Sequence, residues 1–158
     1  MWSRFSLFGL TFSFLTVLAS AAGAVDEPAR ASGSEARIFL HTLDGDTQQV
    51  DIDEIWRLRV ASGKDEPAGA IVVDYAFERV YVKDPLDLLV EDIRGKRKIE
   101  RFTSPSGASV YILPGKVIGI SRPIATQHHP NTKAIIIARE GQQQVQETRD
   151  AVRAALGK

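Results

Sequence analysis

Two adjacent imidazoles, His128-His129, are the closest approach to a metal motif in this chain. Neighbouring histidines bind Zn²⁺ or Cu²⁺ only when three or four ligands converge. His41 is the only other histidine, the Arg122–Thr132 segment holds no acid, and adjacent side chains of an extended backbone diverge. A solvated loop is therefore expected, and no metal site. Asp44, Asp46, Asp51, Asp53 and Glu54 invite a Ca²⁺ reading. An EF-hand loop starting at Asp44 would need an oxygen ligand, a glycine and a glutamate where Gln48, Gln49 and Ile55 stand, so turn chemistry explains the acids better. Arg94, Lys96, Arg97, Lys98 and Arg101 form a basic cluster that could hold phosphates, anionic lipid heads or acidic glycans. The same charges would suit the C-terminal end of a preceding helix. Trp56, Arg57 and Arg59 place an aromatic ring and two guanidiniums on one short segment, a composition found at binding edges. No Gly-x-Ser-x-Gly elbow, Ser-x-x-Lys, His-Glu-x-x-His or P-loop occurs, so no catalytic residue and no cofactor is expected.

The elements that must position these residues are mostly strands. Asp44-Gly45 reads as a turn, Gln48 to Ile52 alternates as a half-buried strand, and Ile55 to Val60 does the same. In that last run period two puts Trp56, Leu58 and Val60 on one side and Arg57 and Arg59 on the other, although Asp53-Glu54 could open a helical turn. Ala61 to Gly69 is a loop by composition, Ile71 to Phe77 a buried strand and Arg79 to Lys83 another alternating one. Asp84 is a natural N-cap with Pro85 at the first helical position. Leu86, Leu89, Val90 and Ile93 then fall at helical spacing before Gly95.

A second run follows the same plan: a Ser106-Gly107 turn, strands over Val110–Leu113 and Val117–Ser121, a loop over Arg122–Thr132 and a buried strand over Ala134–Ala138. Gln142 to Leu156 reads as the closing helix, with Val145, Val152 and Leu156 inward. An offset of sixty-two aligns Gly45 with Gly107, Val50 with Ile112, Ile55 with Val117 and Leu58 with Ile120. The expected fold is α+β: two repeated antiparallel β-rich units, 38–95 and 99–158, each closed by a short helix and sharing one core.

Ahead of these units, Arg4, the apolar run Phe5–Leu18 and Ala22-Gly23-Ala24 predict a signal peptide over 1–24, cleaved before Val25 or retained as an anchor, and a flexible tether over 25–37. With 20 basic and 20 acidic residues the net charge is zero, so any electrostatic partner must be met by a local patch. The chain has no cysteine, which excludes disulfides, thiol catalysis and thiolate metal sites.

The run His41-Thr42-Leu43-Asp44-Gly45, followed by Val50, Ile52, Ile55, Leu58, Ile71-Val72-Val73, Val80, Val82 and an Asp-capped helix, resembles the FlbD-like family. These are small modules associated with bacterial flagella. Gly107, Ile112, Val117, Ile120, Ile135–Ile137 and Gly141 are similar to a second such unit. The resemblance implies compact β-rich units used in protein contacts. The chain departs from it in its leader, its duplication and the absence of glycine in the Ala76-Phe77-Glu78 turn. These readings predict an exported (periplasmic or secreted), non-enzymatic module that binds an envelope protein through residues such as Trp56, Arg57 and Arg59. The alternative is anionic polymer or lipid held at 94–101, and an enzyme using His41 or His128 ranks last. Nucleic acid is not expected, and pairing of edge strands between two copies is left open.

Overall fold

The computed structural model describes residues 36–158; the expected signal peptide, and all but the last two residues of the expected tether, lie outside them. Ten strands form three antiparallel sheets. β1 (Arg37–His41) and β2 (Thr47–Asp51) make a two-stranded sheet. β3 (Ile55–Val60), β4 (Ile71–Tyr75), β5 (Glu78–Val82), β6 (Glu100–Thr103) and β7 (Ser109–Ile112) make a five-stranded sheet in the order β5-β4-β3-β7-β6. β8 (Val117–Ser121), β9 (Ala134–Ala138) and β10 (Gly141–Val145) make the third, in the order β10-β9-β8. Helix α1 (Leu86–Arg94) follows β5 and α2 (Arg149–Leu156) follows β10. The α+β class and the antiparallel pairing are thus as expected.

The five-stranded sheet is apolar on both faces. Leu58, Val73 and Tyr111 sit in register on one face and pack with Ile38, Leu40 and Val50 of the small sheet and with Leu89, Val90 and Ile93 of α1. Val110, Ile112 and Phe102 belong to the other face and pack with Ile136, Val145, Val152 and Leu156. Burying each such aliphatic side chain is worth about 1.5–3 kcal/mol, which is why the sheets stack despite the many polar residues between them.

The order strand, strand, 3₁₀ turn, three strands and helix occurs in both halves of the described chain. Its hydrogen bonding does not repeat. β6 and β7 extend the sheet of the first half through β3–β7 pairing, whereas β1 and β2 pair only with each other. The two halves share one central sheet, and the repeat of element order does not extend to the strand pairing.

Three local details differ from expectation. Asp84 does not cap α1: Pro85 occupies the N-cap position, and the Asp84 carboxylate accepts from the His41 backbone N–H and bonds His41 Nδ1, each at 2.7 Å. Gln142–Val145 is strand, not helix, because Gln143 and Val145 alternate inward against β9; the helix starts only after Thr148, whose Oγ1 accepts from Ala151 N at 3.3 Å. The period-two reading of β3 fails at its start. Ile55 pairs with Tyr75 but Arg57 with Asp74, so Trp56 is an extra, bulged residue. The bulge turns Trp56 onto the face of Arg57, whose guanidinium stacks 4.4 Å from the ring centroid.

Candidate functional site

The bulge in β3 organises a row of charge across the central sheet. Arg79 on β5, Asp74 on β4 and Arg57 on β3 are cross-strand neighbours in register. Asp74 Oδ2 accepts from Arg57 Nε at 2.8 Å and lies 2.7 Å from its Nη2, while Asp74 Oδ1 accepts from Arg79 Nε at 2.8 Å. Both Arg57 and Asp74 are buried. Arg57 spends its remaining donors on β10, giving Nη1 to Gln143 Oε1 at 2.7 Å and to the Gln142 carbonyl at 3.3 Å. A second knot lies one pair further along β3. Arg59 grips Glu66 with both Nη atoms, and Glu66 Oε2 also accepts from the backbone N–H groups of Ser62 and Gly63 at 2.8 and 2.7 Å. Those bonds, Arg59's first, hold the Glu66 carboxyl well below the usual carboxylate range. Burial pushes the Arg57 guanidinium down against the pull of Asp74, and the hydrogen bond to Asp74 pushes Arg79 up.

Arg57, Arg59, Arg79, Glu66 and Gln143 floor a cleft of about 540 Å³ between the central sheet and β10. Arg57, Arg59 and Arg79 line it against one carboxylate, Glu66, which leaves it with a positive balance. Its rim is made of two loops at the same end of the sheets. The β6–β7 turn is a tight serine turn: Ser104 Oγ accepts from Ala108 N at 3.1 Å, Gly107 N donates to the Ser104 carbonyl at 2.9 Å, and Gly107 has φ +91°, which a side chain would strain. The β8–β9 loop, 122–133, is pinned at two points. Gln144 Oε1 on β10 accepts from His129 N at 3.1 Å and Thr132 Oγ1 at 2.7 Å, and Asn131 Nδ2 donates to the Pro105 carbonyl at 3.3 Å.

That loop carries no acid, and its Arg122 and Lys133 are both exposed and without an ion pair among the described residues. His128 Nδ1 lies 2.9 Å from Ile124 N and 3.0 Å from the Ile124 carbonyl, so it can serve as acceptor or donor, whereas His129 Nδ1 accepts from Asn131 N at 3.1 Å and leaves the ring proton to Nε2. Among the described residues no group of three or more His, Asp or Glu is arranged to hold a metal.

The residues expected to bind are dispersed. Trp56 is buried core, with its Nε1 unpartnered among the described residues; Arg57 and Arg59 line the cleft, but through internal ion pairs. None of the 94–101 cations lines it. Lys96 bonds Asp92 at 2.6 Å and the Arg37 carbonyl at 3.1 Å, and Arg97 grips Asp53 at 2.6 and 2.7 Å. Lys98 reaches the Ala155 carbonyl at 2.8 Å and Glu100 at 3.1 Å, while Arg101 Nε donates to Ser109 Oγ at 3.0 Å. Of the five, only Arg94 is without such a partner among the described residues, so the cluster is largely engaged in holding α1 and the following segment to the sheets. Asp74, Glu66, Arg79 and Gln143 were not singled out in the sequence. The one available signal was Asp74 itself, a carboxylate inside a β-branched run where a charge is almost always paired.

No known family pattern matches the chain, and no curated protein does. Among solved structures the chain is similar to the LytTr DNA-binding domain of a putative methyl-accepting/DNA response regulator from Bacillus cereus. The match has 18% identity and a TM-score of 0.47, and covers 77% of this chain and 97% of that one. The FlbD-like resemblance is corrected by the first of these findings, since no family pattern, that one included, matches the chain. The similar solved structure is described as a DNA-binding domain, not as an envelope protein-binding module, and most of the 94–101 cations have partners within the chain.

Proposed function

We propose that the end of the molecule carrying the cleft binds nucleic acid through its phosphodiester backbone. The observation that carries this reading is the pinned, acid-free loop 122–133, which presents Arg122 and Lys133 without an ion pair among the described residues, together with the exposed His129, whose Nε2 carries the ring proton. Phosphate oxygens are acceptors only, and a surface of cations, N–H donors and serine hydroxyls is complementary to them. The loop is tied to β10 and to the β6–β7 turn, so little ordering is required on binding. Arg79, half exposed at the cleft, adds a third positive group.

No catalytic step is assigned to the cleft. Glu66, the carboxylate that lines it, is held by Arg59 and by the Ser62 and Gly63 N–H groups, which keeps it ionised and unsuited to moving a proton near neutral pH.

The test is fluorescence anisotropy with a labelled duplex of about 20 base pairs, titrated at several salt concentrations. Binding should weaken as salt rises, and Lys133→Ala should reduce the slope of log K against log salt by about 0.9, the value for one phosphate contact. The reading is overturned if the duplex is not bound at low salt, or if charge reversal of Arg122 and Lys133 together leaves the affinity within about two-fold.

A further inference from the structure

The opposite end of the sheets carries a patch that the nucleic-acid reading does not use. β4 and β5 are joined by the two residues Ala76 and Phe77, both in left-handed backbone, with φ 44° and 65°. A two-residue hairpin of this kind takes Asn or Gly by preference. Here it takes Phe77, whose ring is 76% exposed, so no internal packing offsets the strained conformation. Beside it stands Ile118, 62% exposed. Ile118 is the extra residue of a second bulge, because Val117 pairs with Ala138 and Gly119 with Ile137. The corresponding bulge in β3 buries Trp56; this one aims its side chain outward.

Phe77 and Ile118 border a groove of about 420 Å³ with Glu54, Lys116, Arg139 and Glu140. Among the described residues Lys116, Arg139 and Glu54 have no ion pair, and one carboxylate oxygen of Glu140 is buried without a partner. Glu78, exposed, follows Phe77 at the tip. The patch is an apolar centre flanked by both signs of charge, and a surface of that composition is complementary to itself.

We infer that this face docks a second copy of the chain about a two-fold axis. Each Phe77 enters the groove of the other copy, and Lys116 and Arg139 of one meet Glu54 and Glu78 of the other. A two-fold contact requires one surface to be its own complement. A lipid headgroup layer or a polyanion would require one sign of charge, which this patch lacks. The apolar centre is small beside the roughly 800 Å² per partner of a stable interface, so the association is reversible and concentration-dependent. It stands independently of the nucleic-acid reading.

Sedimentation equilibrium on the folded protein, from about 5 to 500 µM, should show monomer passing to dimer. Phe77→Asn and Phe77→Gly, which both suit left-handed backbone, should raise the dissociation constant at least about ten-fold while melting no earlier than the parent. Lys116→Glu with Arg139→Glu, and separately Glu54→Lys with Glu78→Lys, should each remain monomeric alone and associate when mixed in equal amounts. A monomer across the whole range overturns the inference. So does dimerisation indifferent to Phe77, a mixture that fails to associate, or Phe77-dependent sedimentation with phosphatidylglycerol vesicles in place of self-association.

Discussion

Replacing Asp74 by Asn should be among the most damaging single changes in the described chain. Arg57 is 7% exposed and Asp74 4%, so neither charge can turn to water. The substitution removes the charged acceptor of Arg57 Nε and Nη2 but leaves Nη1 bonded to Gln143 and Gln142, and leaves the stack on Trp56. Removing one partner of a buried pair costs about 3–5 kcal/mol, and the surviving bonds place this case near the low end, about 3 kcal/mol. Arg79 also loses Asp74, but it is 44% exposed and can swing out, adding less than about 1 kcal/mol. With an m-value of about 1.5 kcal/mol/M, the urea midpoint should fall by about 2 M. Arg57→Met combined with Asp74→Leu removes both charges and should recover most of the loss, since a buried pair can be exchanged for apolar groups at little cost. The reasoning is refuted if Asp74→Asn moves the midpoint by less than about 0.5 M, or if the double variant is no more stable than the single one.

Acid should reveal Glu66. Its folded carboxyl is depressed, so it contributes stability above its ordinary titration range, lost as pH falls through the lower folded value; the melting advantage over Glu66→Gln should be full at pH 7 and shrink steadily below about pH 4.5. Thr148→Ala removes the cap of α2 and should cost about 1 kcal/mol in denaturant melts with no change in m-value. Lys96→Ala with Lys98→Ala should leave duplex binding within about two-fold, because both ammonium groups already have partners in the chain; a steep loss would return weight to that segment.

The strands were legible where pairing and pattern agree. Ile55–Val60, Val117–Ser121 and Ala134–Ala138 were read with their true limits, and α1 was read through its apolar spacing even though Asp84 serves His41 and not the helix end. Gln142–Val145 was misread because three glutamines favour helix by propensity, whereas pairing with β9 decides the matter. The site was far less legible. The bulge that brings Trp56 and Arg57 to one face depends on how β3 registers with β4, seventeen or so residues away, and no alternation within β3 announces it. The 94–101 cluster is the opposite case. Charge density is visible in sequence, but the Asp53, Asp92, Glu100 and carbonyl partners that absorb it arrive from elsewhere in the fold.

The placement of β7 beside β3 also sets the order in which a growing chain can become safe. β3 lies in the interior of the central sheet, yet by the time β4 and β5 have emerged only one of its edges is occupied. The other must wait for Ser109–Ile112, beyond α1 and β6. Until then a row of unpaired amide and carbonyl groups, set among Trp56, Leu58 and Val60, is open to any passing strand. The second half of the chain is thus the covering that the first half lacks, and a chain cut at Gly95 would end as an open sheet edge, not as a smaller version of the protein.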